Sequence, residues 1–238
     1  MTQKQLKQFV RFWNTANGFK NGEVDEVNLV YTEFISALSQ EPKIVKLLPV
    51  TIDNTNTEKE VKEVGKLFGQ SQMMLGIDAN EEKLKAEDLT ARKYVLFSTH
   101  GILGNEIPYI KQPALVLSLV GNDKEDGFLT AAEIFNMNMN ADIVGLSACK
   151  TGLGVQSAGE GVVGLSRAFM YAGTDTVLVS LWSVSDESTY KLMVNFFDGL
   201  KRGKDKLTAL KDAKNRLRAS GYENPFYWAP SILVGEAN

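Results

Sequence analysis

Ile143-Val144-Gly145-Leu146-Ser147-Ala148-Cys149 is an apolar run that stops at the single cysteine of the chain. Tyr94-Val95-Leu96-Phe97-Ser98-Thr99 is a second such run, and it stops at His100-Gly101, His100 being the single histidine. Each reads as a buried β-strand. In an open parallel sheet the C-terminal strand ends converge on one edge, where ligands bind and chemistry takes place. A lone cysteine with a histidine elsewhere in the chain is a candidate nucleophile and base. Two such residues at equivalent strand ends point to a cysteine hydrolase.

The surrounding pattern supplies the rest of that sheet. Strands are expected at 94–99, 114–120, 143–148, 177–182 and 231–234, separated by helices at 130–136, 161–172, 186–202 and 206–219. This alternation predicts an α/β sandwich in which crossover helices cover a mainly parallel sheet. Met193, Phe196, Phe197 and Leu200 form the buried stripe of one helix, and Leu207, Leu210, Ala213 and Leu217 that of the next. The turn-rich stretch from Gly121 to Gly127 marks a local hairpin or edge excursion.

Upstream, Thr57-Glu58-Lys59-Glu60 has capping-box form, with Thr57 at the cap and Glu60 reaching back to it. Val61, Val64, Leu67 and Phe68 then share an apolar face, and Gly69 ends the helix. Leu6, Phe9, Val10 and Trp13 lie at helical spacing within 3–15. Residues 27–31 read as a short strand, with Phe34, Ile35 and Leu38 on a helix after it, and Pro42 and Pro49 flank a connection. The chain therefore divides into a helical and strand-bearing prefix, 1–56, and a main domain, 57–238.

Composition sets limits on function. The 238 residues are 44% hydrophobic and 23% charged, which is a globular balance with enough length for a substantial core. A formal net charge of −3 gives no general surface for nucleic acid or membrane. One cysteine excludes an internal disulfide and fits a reducing compartment. No apolar stretch reaches the roughly 18 residues of a spanning helix, and Met1-Thr2-Gln3-Lys4-Gln5 leads into no apolar signal core. A cytoplasmic protein with neither nucleic-acid nor membrane contact is the expectation.

The chemistry at the two strand ends can be specified. A thiol attacks as the thiolate, and at an ordinary pKa near 8.5 only about 3% is ionised at pH 7. A neighbouring imidazole raises that fraction or protonates the leaving amine. Acyl transfer also needs donors for the developing oxyanion. Gly101 has no Cβ, so its N–H can lie flush against a substrate carbonyl, and the N–H of Cys149 is a natural second donor. No residue orienting His100 is evident. The competing explanation is structural, since free cysteine is among the most buried residue types. A zinc site is disfavoured because structural zinc takes four Cys/His ligands and this chain holds two. The glycine-rich stretch 151–161 matches neither phosphate-binding pattern, and a mobile loop that orders around substrate or an activator is the better use of it.

Six motifs carry a family resemblance. STHG at 98–101, LTAAEI at 129–134, ADIVGLSACKTGLG at 141–154, GEGVVGLSRAFMYAG at 159–173, VLVSLWSVSDEST at 177–189 and NPFYWAPSILVGE at 224–236 resemble the CHAT domain and stand in its order. That domain is a caspase-like peptidase module often found beside tetratricopeptide repeats and related in fold to caspases and separase. The resemblance runs from about Thr57 to Glu236. It implies a caspase-like three-layer sandwich, a mainly parallel sheet with helices on both faces. It implies a His100–Cys149 dyad, an oxyanion site at the backbone of Gly101 and Cys149, and a substrate peptide lying beside Val179-Ser180-Leu181-Trp182. Asp186 resembles the position at which separases hold a basic residue before the scissile bond. The competing explanation is that Ser185 caps the following helix and Asp186 and Glu187 merely favour the positive end of its dipole. Glu133 and Glu160 lie in motif blocks without an assignable role.

The prefix departs from the family, in which a longer segment usually supplies an early strand of the sheet. Its stretch from Gly22 through Tyr31 to Pro49 looks instead like the gamma subunit of rotary ATP synthases, without the long terminal helices of the rotor shaft. The strand at 27–31 is then a candidate to fill the missing sheet position. The leading expectation is a cysteine endopeptidase acting on protein or peptide substrates through an acyl-enzyme, with no metal or organic cofactor. The rival is a non-catalytic interaction module that binds peptides or a partner protein in the same groove. A further rival is a rotor-associated fragment with a silent α/β appendage. A separate helical-repeat regulator, acting at the glycine-rich loop, is the expected partner besides substrate.

Overall fold

The computed structural model describes residues 27–36, 39–48, 55–102, 110–147, 158–182 and 184–236. The chain divides into two compact units, Met1–Asn54 and Thr55–Asn238. In the first, β1 (Val27–Ser36) and β2 (Ser39–Leu48) form an antiparallel pair, with Leu29 opposite Val45 and Thr32 opposite Pro42. The helix expected to carry Phe34 and Ile35 is therefore corrected to strand. β1 is dense in β-branched and aromatic residues, which favour the pleated backbone. Pro42, expected in a connection, sits within β2, where a two-stranded ribbon tolerates its missing N–H. The recorded sheet of this unit has two strands, in the order β1-β2. Leu38, Pro49 and the expected helix at 3–15 lie outside the described residues.

The second unit opens with α1 (Thr55–Leu67). The helix starts two residues ahead of the expected cap at Thr57, and the capping box there does not form, because Glu60 turns inward and is buried. After α2 (Glu81–Ala86) comes β3 (Tyr94–Phe97), the first strand of a four-stranded sheet. Its partners are β7 (Ile143–Leu146), β8 (Thr176–Ser180) and β9 (Ser231–Gly235), in the order β3-β7-β8-β9. β3, β7 and β8 run parallel, and β9 is antiparallel to β8. The mainly parallel α/β sandwich expected from the alternation is the fold observed.

Period-two alternation assigns the side chains of this sheet to two cores. Phe97, Val144, Leu146, Val177 and Val179 face one side and pack with Ile134 of α3 (Ala131–Phe135) and with Leu165, Ala168 and Phe169 of α4 (Ala158–Tyr171). Leu96, Ile143, Leu178 and Leu233 face the other and pack with Val64 of α1, α5 (Asp186–Lys201) and α6 (Lys206–Ala219). The stripes expected on α5 and α6 are the ones buried here, except that Leu207 is exposed. Helices thus cover both faces, giving three layers. α4 begins at Ala158, so Gly159 and Gly161 belong to the helix rather than to the glycine-rich loop.

A smaller antiparallel sheet of β4 (His100–Ile102), β5 (Ala114–Val116) and β6 (Phe128–Thr130) follows directly from β3. The β5–β6 pair is the hairpin that the turn-rich stretch announced. Its connection is fastened to α2, where Glu82 N–H donates to Asn122 Oδ1 at 3.2 Å and Gly127 N–H donates to Glu81 Oε2 at 2.9 Å. Glu133 forms a capping box with Thr130 and also contacts the Lys85 ammonium at 2.8 Å, which gives that motif residue a structural role. Sequence periodicity missed α2 because six residues with Leu84 as their buried apolar side chain show no period. Its signal was Asn80, which caps the helix ahead of two glutamates.

On the α5 side the sheet is closely packed at Gly145. A Cβ there would lie 3.2 Å from Leu96 Cδ1 and 3.3 Å from Phe197 Cζ, so the absence of a side chain lets Phe197 seat directly on the sheet. Phe197 also meets Phe68, Tyr94 and Phe196 edge-on. Phe197→Ala should cost about 3–5 kcal/mol in urea unfolding. A change below about 1 kcal/mol would show that α5 is not held to the sheet at this point.

Candidate active site

Parallel pairing aligns Tyr94 with Ile143 and Phe97 with Leu146. The backbone bond from Ser147 N–H to Phe97 carbonyl, 2.9 Å long, carries the alignment one step past both strands. Ser98 and Ser147 therefore leave the sheet side by side. His100 follows two residues after the first and Cys149 two residues after the second. Cys149 and Ala148 lie outside the described residues, as do 150–157.

His100 is half-buried and opens β4, opposite Val116. This corrects the expectation that it closes the parallel strand. β3 ends at Phe97, and the Thr99 hydroxyl bonds the Val116 carbonyl as the chain turns into the second sheet. Gly101 follows, buried and paired with Leu115.

β8 ends at the same edge. The expected strand to residue 182 stops at Ser180, whose hydroxyl donates to the Trp182 carbonyl at 2.8 Å. Leu181 N–H then donates to Pro230 carbonyl at 3.1 Å, and Trp182 Nε1 to Phe226 carbonyl at 3.0 Å. Leu181 and Trp182 are 37% and 38% exposed, high for large apolar groups. The recorded ladder of β8 with β7 ends at Leu178, whereas that with β9 continues to Ser180. Asp186 is the exposed first residue of α5, and Ser185 caps that helix by accepting from Ser188 N–H at 3.3 Å. The capping explanation of Ser185 is thus correct, and it leaves the Asp186 side chain in solvent.

Glu60 is the group that sequence reasoning misassigned. Its Oε2 accepts from Ser147 Oγ at 2.9 Å. Burial pushes its carboxyl up to about 7, hydrogen bonding from Ser147 and then Ser98 draws it partly back, and the Asp186 charge raises it. The available signal was its spacing, since Glu60, Val64 and Leu67 fall on one helical face.

Glu81, Glu125 and Glu133 bring carboxylate oxygens within 4.8 Å of one another, a spacing that could hold a cation. The Lys85 ammonium already contacts all three, at 2.7, 2.8 and 2.8 Å. Among the described residues no helix is long and apolar enough to cross a membrane.

Comparison with known proteins extends the resemblance. Tetratricopeptide repeat protein 28 of Homo sapiens is 27% identical over 213 residues, 76% of this chain and 8% of that protein. Its Mus musculus counterpart is 32% identical over 108 residues, 45% of this chain and 4% of that protein. The chain therefore spans less than a tenth of the repeat proteins it matches. The sodium ion specific ATP synthase gamma chain of Acetobacterium woodii is 47% identical over 45 residues, 19% of this chain and 15% of that one, at a short N-terminal stretch. The family model of the CHAT domain matches residues 21–236, reaching past the boundary at Thr57 into the prefix. With a caspase-like α/β sandwich beneath a match of that length, the chain belongs to the CHAT domain family.

Proposed function

We propose that the chain is a cysteine endopeptidase, with Cys149 as nucleophile and His100 as acid and base. The observation that carries this reading is the β3–β7 register, which sets Ser98 beside Ser147 and so brings the two chain segments to one edge. The Cys149 thiolate would attack the carbonyl carbon of a peptide bond. Charge then collects on the carbonyl oxygen, where the N–H groups of Gly101 and Cys149 receive it. His100 protonates the departing amine, leaving a thioester, and then takes a proton from the water that hydrolyses it. This sequence consumes one water per bond cleaved and draws on no cofactor.

The edge of β8 past Leu178 is the proposed seat for an extended substrate, because main-chain groups there lie beyond the β7 ladder. Leu181 and Trp182 offer apolar surface beside it, and the exposed Asp186 carboxylate would pair with Arg or Lys before the scissile bond. A separate helical-repeat protein is the proposed regulator, supported by the repeat-bearing name of the human relative and by how little of it this chain matches. A reducing cytoplasmic setting suits a thiol nucleophile in a chain with one cysteine.

Cys149→Ala should abolish cleavage while leaving the circular dichroism spectrum unchanged, and undiminished turnover would refute the assignment. A thiol-reactive peptide probe should label wild type at Cys149 and fail on His100→Ala. Peptide binding without turnover or His100-dependent labelling would favour the interaction module instead. For substrate choice, Asp186→Asn should lower kcat/KM for peptides with Arg before the cleaved bond by roughly tenfold or more, with uncharged peptides little changed. An unaltered preference would remove Asp186 from the pocket.

A further inference from the structure

Glu60 is the one buried carboxyl at this edge among the described residues, and the mechanism above gives it no task. It is 2% exposed and shares the apolar face of α1 with Val64. An ionisable group there carries a desolvation penalty that a purely structural helix would avoid. Ser147 satisfies its Oε2 at 2.9 Å, while Oε1 is buried with no hydrogen-bond partner among the described residues. Ser147 stands two residues before Cys149 in the sequence, and Ser98, its neighbour where the strands end, two residues before His100.

We propose that Glu60 is a positioning residue: its carboxyl anchors Ser147, which lies beside Ser98 where the two strands end, and thereby sets the spacing of the segments that lead to His100 and Cys149. The catalytic consequence rests on the cysteine peptidase reading, whereas the tie to Ser147 does not. The Ser147 hydroxyl donates more strongly to a carboxylate, but burial outweighs that gain. Ionisation would therefore leave a buried charge with one oxygen unpartnered, which draws water into the junction and loosens it.

Hydrogen bonding from the serines favours the ionised form, and burial together with the Asp186 charge favours the neutral one. From α5, the Asp186 carboxylate opposes a second negative charge, and the Tyr190 hydroxyl is committed to Glu63 at 2.7 Å. On α1 itself, Lys59 lies 4.7 Å from the Tyr190 ring, and no ion pair to Glu60 is recorded among the described residues. Burial therefore holds the proton up to about 7. The sign follows from linkage. The folded state keeps a proton that the unfolded chain releases near 4.5, so this contribution to stability is complete below 4.5 and is lost as pH rises toward about 7.

Since Cys149 is the single cysteine, its alkylation by iodoacetamide reports the site without a known substrate. The rate should be measured for wild type and Glu60→Gln between about pH 5.5 and 8.5, the range spanning the carboxyl and thiol titrations, alongside hydrolysis of a fluorogenic peptide amide ending in Arg. Glutamine keeps the shape and stays neutral. The ratio of the two alkylation rates should be near one at the acid end and diverge by roughly tenfold at the alkaline end. A ratio that stays flat overturns the tie. Turnover with a flat ratio leaves the peptidase reading standing alone, and divergence without turnover in either protein leaves the tie standing alone. Urea unfolding supplies a readout independent of the thiol. Wild type should lose stability relative to Glu60→Gln as pH rises from about 4.5 to about 7, and parallel curves would overturn the proposal.

Discussion

The parallel ladder between β3 and β7 is the constraint from which the rest follows. Four aligned residue pairs, ending at Phe97 and Leu146, fix where two chain segments leave the sheet and how far apart they are when they do. A shift of one residue would move every side chain of the strand to the opposite face. That shift is resisted from both sides. Phe97 and Leu146 pack among the α3–α4 helices, while Leu96 and Gly145 receive Phe197 from α5. The geometry of the edge is therefore set by two hydrophobic cores.

That arrangement explains why polar side chains begin only where β3 and β7 end. Within β7 every residue is buried and committed to packing. Ser98 and Ser147 are the first positions past the two strands, and Ser147 meets a carboxyl rather than an apolar side chain. The edge thus changes character within two residues, from greasy interior to polar junction. Placing Glu60 on α1, with Asp186 and Tyr190 on α5, links this junction to the pair of helices that cover one face of the sheet.

Much of this was legible in the residues. Strongly apolar runs at 94–97 and 143–146, with long amphipathic helices after Ser185 and Asp205, declare themselves because burial dictates composition. What escaped reading depends on contacts distant in sequence. His100 opens a strand of a second sheet because Val116 pairs with it, which no local pattern announces. Glu60 imitates a capping residue, and its true partner lies 87 positions away. Phe34 and Ile35 fit helical spacing as well as strand composition, and pairing with β2 decides between them. Short α2 and the three-residue strands β4 and β6 are too brief to show a period at all.

The central claim is that the imidazole and the thiol share one edge and sense each other. Because the chain has a single histidine, its ring protons can be followed by NMR without ambiguity. Titration of His100 should be compared between wild type and Cys149→Ser. A nearby thiolate favours the imidazolium, so the account predicts a lower midpoint in the serine variant. Superimposable titration curves would contradict it.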